Sequence, residues 1–317
     1  MTKARSGKSV SGKTLTPFAR RGACVAGVAA GVAGAVAGFA AVQTLRRQDI
    51  HLIPHAQAGL AVVRTVRDEA EEPVRVLSVG GAYQSATYFG ERWHEPVLEY
   101  YRAFDHMFEA EHGDGNTNGN GDKDGEVAPF CIRDVLMIGG GGCAWPKHVL
   151  MGRPDVHVDV VESDPVIIDV AKRYFYMDEL VRVLCEREGS SDRFRLINDD
   201  GLAYLAGCEQ RYDAIVNDAF SGKAAAADLA SAMGIRAVKN RLNPGGLYLV
   251  NVVSGSEWRE FRHLVRLLNE LDRQFAFADV ILATDDRFSN KDNYLVIASD
   301  AKYHFSDVIP VGGVKQQ

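Results

Sequence analysis

From Arg133 onward, short apolar runs alternate with longer stretches whose apolar positions recur at helical spacing. The runs "DVLMI", "HVDVV", "FRLIN", "YDAIVN" and "LYLVNVV" read as buried strands, while "PVIIDVAKRYF" and "SEWREFRHLVRLLNELDRQ" read as helices between them. A short helix after Gly201 and another ending near Arg241, before the turn "NPGG", continue the alternation. This order predicts a parallel sheet with helices on both faces, because parallel neighbours need a long crossover. The last two runs, "FADVILA" and "YLVIAS", are separated only by "TDDRFSNKDN", too short for a crossover, so that pair is expected to be antiparallel.

Ahead of this region, "GLAVVRTV", "VRVLSVGG" and "AYQSATYF" predict a small β-rich lobe, followed by a helical pattern "HEPVLEYYRAFDHMFEA" from near His94. The Gly-, Asn- and Asp-rich stretch 111–128 reads as a surface insertion. Asp114, Asn116, Asn118 and Gly119 imitate the opening of a calcium loop, but Gly125 stands where the bidentate acid is required, which favours a solvated linker. Residues 1–21 are basic and polar, and the next stretch, 22–45, carries no charge until Arg46. At about 1.5 Å per residue a helix of that length crosses a hydrocarbon core of about 30 Å. Gly27/Gly31 and Gly34/Gly38 give it a small-residue packing face. A membrane anchor is the leading expectation, with an export signal and a soluble helix as alternatives. The basic N-terminus favours an N-inside orientation, which conflicts with the cytoplasmic catalytic domain expected below. The expected organisation is 1–48 basic N-terminus and anchor, 49–110 small lobe, 111–130 linker, 131–303 catalytic domain and 304–317 tail.

Composition narrows the function classes. A net charge of -6 over 317 residues argues against a chain-wide nucleic-acid footprint, which needs clustered Lys and Arg. The five cysteines form no Cys-x-x-Cys pair, and His51 and His55 flank Pro54, so free thiols and no metal site are expected.

The chemistry concentrates at predicted strand ends. Gly139, Gly140, Gly141 and Ala144 fit G-x-G-x-x-G/A after a strand, where glycines let the backbone turn tightly and approach a ligand. Pro146 suits the first turn of the helix that follows. Glu162 ends the second strand, where a carboxylate accepts from both hydroxyls of a ribose. Asp200 in "NDDG" has two readings, an acceptor for an adenine amino group and a helix N-cap. Asp218 in "VNDAFSG" closes the fourth strand, at the edge where open α/β sheets bind ligands.

Together "VLMIGGGG", "VVESDP", "NDDG", "RYDAIVNDAF" and "LNPGGLYLVNV" resemble spermidine synthase and its spermidine-synthase-like relatives, a branch of the class I S-adenosylmethionine-dependent methyltransferase fold. The resemblance covers about residues 133–300, and "GGAYQSATY" extends it loosely into the small lobe. It implies an α/β fold: a seven-stranded, methyltransferase-type Rossmann-like sheet with a small N-terminal β-rich lobe and an N-terminal hydrophobic helix. It implies a homodimer as well. By that resemblance Gly139, Gly141, Gly142, Glu162 and Asp200 would hold S-adenosylmethionine or its decarboxylated form. Gln84 and Tyr83 would face a small acceptor such as an amine, and Asp218 would be the base. Tyr88, Tyr100 and Tyr101 are acceptor-side or lobe-packing aromatics; His94 and His106 are bases or exposed helix histidines.

Two departures matter. The family's glycine loop reads G-G-G-D-G, where this chain has Gly142, and its D-x-x-D becomes Asp218 followed by Ser221. Losing one partner of a buried charge pair costs about 2–5 kcal/mol. The expectation therefore ranks methyl transfer to a small nucleophile above aminopropyl transfer to putrescine. A non-catalytic, membrane-anchored nucleotide-binding protein is the alternative from another class. Hydride transfer is disfavoured by the closing hairpin and by "NPGG".

Overall fold

The computed structural model describes residues 43, 49–55, 59–68, 70–112, 130–221, 224–225, 228–254, 258–283 and 292–310. The chain divides into two units, 1–50 and 51–317. Apart from Gln43, the charge-free stretch 22–45 lies outside the described residues, as do the calcium-like positions and residues 311–317. Among the described residues, no helix is long and apolar enough to cross a membrane.

The small lobe is a four-stranded sheet in the order β1 (Ile50–His55), β2 (Gly59–Arg67), β3 (Pro73–Val79) and β4 (Ala82–Tyr88). The pairs β2/β3 and β3/β4 are antiparallel, with a register shift between Leu77 and Ser78 against β4, and strand alternation lets β3 bury residues on both faces. Val74 and Val76 join the main core, whereas Leu77 and Val79, with Ala61 and Val63, pack against Ile167, Val170 and Phe175.

The helix expected from His94 starts later. Pro96 disfavours helical backbone in the residue before it, and α1 runs only over Glu99–Ala103 before passing into a 3-10 helix, Phe104–His112. Tyr101, Phe104, Met107 and Ala110 are all buried, and this every-third-residue spacing stays on one face only when the chain has three residues per turn.

The remaining elements follow in order: β5 (Asp134–Ile138), α2 (Ala144–Gly152), β6 (His157–Glu162), α3 (Pro165–Tyr174), α4 (Met177–Glu188), β7 (Phe194–Asn198), α5 (Gly201–Gly207) and β8 (Tyr212–Asn217). Then come the two-residue strands β9 (Phe220–Ser221) and β10 (Ala224–Ala225), α6 (Ala232–Lys239), β11 (Leu242–Ser254), α7 (Trp258–Leu271), β12 (Phe277–Leu282) and β13 (Asp292–Ser299). The large sheet has seven strands in the order β12-β13-β11-β8-β5-β6-β7. Its β11/β8, β8/β5, β5/β6 and β6/β7 pairs are parallel, and β13 is antiparallel to both β11 and β12, as the short connection required. Helix α4 was absent from the sequence reading. Its buried Met177, Leu180 and Leu184 are diluted by charge, and it is separated from α3 by Tyr176 in left-handed backbone rather than by a glycine or proline.

One side chain ties these layers together. Lys147, on α2, is 1% exposed and donates to Thr87 Oγ1 on β4 and to the Phe175 carbonyl beyond α3, both at 3.0 Å. Burial pushes its amine down to about 7. Between about 7 and the ordinary value of 10.5 the unfolded chain holds a proton that the folded chain has lost, so this group makes stability rise with pH. Denaturation midpoints measured across that range should rise more steeply for the parent protein than for Lys147→Met; parallel curves would contradict this assignment.

Candidate functional site

The site is built on the turn after β5. Gly139 has φ +90°, and its N–H donates to the Val161 carbonyl at 2.9 Å. A Cβ there would lie 2.6 Å from the Ala219 backbone, so the turn passes directly against the chain leaving β8. The same approach lets the Asp218 N–H donate to the Ile138 carbonyl at 2.9 Å, which places Asp218 beside the glycines.

Glu162 closes the other side. One carboxylate oxygen accepts from the N–H groups of Gly140 at 3.1 Å and Gly141 at 3.3 Å, and the other accepts from Asp164 N–H at 3.0 Å. The adjacent Asp164 caps α3 by accepting from Val166 N–H at 2.8 Å, ahead of Pro165 in the first turn. Asp200 is the N-cap of α5: its Oδ1 accepts from Leu202 and Ala203 N–H, both at 3.0 Å. Capping uses one oxygen, and the residue is exposed at the same sheet edge, where Asp199 N–H reaches the Glu162 carbonyl at 3.3 Å.

Asp218 is half-buried, and desolvation pushes its carboxyl up to about 7. The charge of Glu162 adds to that rise, while a 2.7 Å hydrogen bond from Asn251 Nδ2 to Asp218 Oδ1 opposes it.

The small lobe supplies the facing wall. The Gln84 carbonyl lies 3.3 Å from where a Cβ on Gly141 would stand, and it accepts from the Tyr101 hydroxyl at 3.1 Å. Burial first, and the Asp218 charge after it, push the Tyr101 phenol up, so it stays protonated. At Gly142 a Cβ would come within 2.6 Å of Ser85 Oγ and 2.8 Å of the Phe175 ring. Both neighbours are 0% exposed, so no side chain fits at position 142 unless the wall shifts.

Gly139, Gly141, Gly142, Glu162, Asp218 and the Gln84 backbone therefore meet at one place. Other sequence candidates are engaged elsewhere. The Tyr83 hydroxyl accepts from Arg64 Nη2 at 2.9 Å, Tyr88 lies under the Arg92 guanidinium at 3.9 Å, and Tyr100 packs on Tyr101. His106 pairs with Glu109 at 2.8 Å, while His94 lies beside Trp93 and has its pKa lowered by burial. His51 packs on Tyr174, and His55 ends β1. Among the described residues no cluster of three metal-ligating side chains forms. Sequence reading missed Ser85, Phe175 and Asn251. Only Asn251 left a signal, as the polar break in the apolar run "LYLVNVV".

A parallel sheet closed by an inserted antiparallel strand, with a glycine turn and carboxylates at its carboxyl edge, defines a methyltransferase-type α/β fold. Within that class the chain belongs to the spermine/spermidine synthase domain family, whose model matches residues 128–304. It is similar to polyamine aminopropyltransferase 2 of Hyperthermus butylicus, 35% identical over 133 residues, a match covering 40% of this chain and 41% of that relative. It is also similar to an eEF1A lysine and N-terminal methyltransferase homolog of Drosophila pseudoobscura pseudoobscura, 28% identical over 134 residues, covering 39% of this chain and 18% of the relative. The chain thus spans less than half the length of these relatives. The spermidine synthase structure of Thermotoga maritima superposes with a TM-score of 0.53 at 15% identity, covering 79% and 72% of the two chains, which shows a shared fold.

The packing at the turn predicts that Gly142→Ala lowers stability by about 1–3 kcal/mol through overpacking, and Gly142→Asp by more. Gly139→Ala should cost more than Gly142→Ala, since it meets backbone and keeps a left-handed φ. Chemical denaturation checks the order, and an unchanged Gly142→Ala midpoint would contradict it.

Proposed function

We propose that this chain is a transferase that binds S-adenosylmethionine and passes its methyl group to a small nucleophile, such as an amine. The observation that carries this reading is the filled space at Gly142, where Ser85 and Phe175 stand and no acid can be accommodated. A turn without an acid at position 142 sets no like charge there against a donor that keeps its own carboxylate.

The donor supplies an activated methyl–sulfur bond, whose electrons return to sulfur as the acceptor's lone pair bonds to carbon. The chain's part is positioning and proton handling. Glu162 is pinned to the glycine turn and to Asp164 N–H, with one acceptor position left on its second oxygen for a ribose hydroxyl. Asp200 offers its uncapped oxygen at the adenine end. Asp218, titrating near 7, takes the proton an amine releases. The Tyr101 hydroxyl holds the Gln84 backbone against the turn.

A second reading, aminopropyl transfer from decarboxylated S-adenosylmethionine to putrescine, is favoured by the name of the Hyperthermus butylicus relative. Calorimetry with both donors separates the two: tighter binding of S-adenosylmethionine supports methyl transfer, whereas tight binding of the decarboxylated donor alone, followed by spermidine formation, overturns it. Donor binding with no transfer to any amine in a broad panel would leave a non-catalytic nucleotide-binding protein. A homodimer, and anchoring through 22–45 with a cytoplasmic catalytic domain, belong to the same proposal; sedimentation and membrane fractionation of the full chain test them.

Because the carboxylate is the working form, the transfer rate should rise with pH through about 7. Asp218→Asn should lower it by about 10²–10⁴-fold with donor affinity retained, the range expected for loss of a general base. A flat profile, or a fully active Asp218→Asn, would remove Asp218 from that role.

A further inference from the structure

The carboxylate of Asp218 does not stand alone in the wall of the site. Asn251 Nδ2 donates to Asp218 Oδ1 at 2.7 Å, and Asn293 Nδ2 donates to Asn251 Oδ1 at 3.1 Å. The sheet register makes this chain of contacts. Val250 pairs with Asn217 across β11 and β8, so Asn251 comes level with Asp218 just beyond the end of β8. Across β11 and β13, Asn251 pairs with Leu295 and Val253 with Asn293, so Asn293 is the diagonal neighbour of Asn251 on the same face.

The order of donors and acceptors has one direction. A carboxylate only accepts, so Asn251 must present its NH₂ to Asp218 and its carbonyl to Asn293. If the Asn251 amide were flipped, its oxygen would face the carboxylate and its NH₂ would face the NH₂ of Asn293. Asn293 is 6% exposed and buried with its amide, so solvent is poorly placed to replace it. Among the described residues, Asp218 Oδ2 makes no hydrogen bond.

We infer that Asn251 and Asn293 are positioning residues: a two-amide relay from the closing hairpin that holds Asp218 with Oδ1 occupied and Oδ2 open. On the proposed function, Oδ2 is the atom that receives the acceptor's proton. The antiparallel strand that marks the fold class thus also orients the base. Asn293 acts only through Asn251.

The relay can be tested in donor-free, full-length protein by following the Asp218 carboxyl carbon in a ¹³C-aspartate NMR titration. Among the described residues, Glu162 and Tyr101 are the titratable groups that interact with Asp218, and both stay unchanged in every variant. A hydrogen bond to the charged form favours it, so Asn251→Leu should move the midpoint up by about one pH unit. Asn293→Leu should move it up by less, and the double variant should match Asn251→Leu alone, because the second residue works through the first. If Asn293→Leu does not fold, Asn293→Ala tests the same step by truncation. An unmoved midpoint in the Asn293 variants, or additive shifts in the double variant, would overturn the relay. The rising limb of the pH–rate profile should move with the NMR midpoint in each variant. Loss of transfer activity with an intact NMR result would sink only the proposed function, and the reverse pattern would sink only the relay.

Discussion

The turn after β5 is crowded by backbone and side chains from two sides at once, and it fits there because its residues carry no Cβ. The chain leaving β8 lies against Gly139 so closely that a Cβ would sit 2.6 Å from Ala219, and Ser85 with Phe175 press on Gly142 from the other side. Other features of the site follow from that double contact. It brings Asp218 beside Glu162, whose charge helps raise the Asp218 carboxyl. It puts the Gln84 backbone over Gly141, where Tyr101 reaches it. Behind it, Lys147 joins β4 to the end of α3, so the small lobe and the large sheet share one support.

The crowding also changes the meaning of the missing acid. In sequence, Gly142 is an absence: a family position without its carboxylate. In the structure the space belongs to a buried aromatic ring and a buried serine, so restoring the carboxylate would require moving the wall. Interiors are packed at crystal-like density and do not yield such space without cost. The proposed preference for a carboxylate-bearing donor rests on the absence of a like charge at this position, where Ser85 and Phe175 stand instead.

Much of this was legible in the chain. The large-sheet strands follow from apolar runs with short polar breaks, and the closing hairpin follows from a connection too short for a crossover. Glu162 and Asp218 were legible because strand ends are where such sheets carry ligands. Asp200 was legible as two things, and the structure shows it capping α5 with one oxygen. Three features were hidden for physical reasons. Helix α4 begins just after Tyr176, whose left-handed backbone no local signal announces. The three-residue spacing of Tyr101, Phe104 and Met107 passes for an ordinary helix unless burial is known. Phe175 and Ser85 meet Gly142 across long separations in the chain, and no local pattern encodes that meeting. The partner of Tyr83 was not legible: its hydroxyl accepts from Arg64 in the small sheet.

On the proposed function, the glycine turn, with its wall intact, receives the amino-acid end of an adenosyl donor. A crystal structure of the protein with S-adenosylhomocysteine tests this most directly. The account predicts the ribose on Glu162 and the ligand's carboxylate against the Gly141–Gly142 turn, with Phe175 and Ser85 where they now stand. An adenosyl group bound away from the turn, or a ligand that displaces Phe175 to open a side-chain-sized space at Gly142, would contradict it.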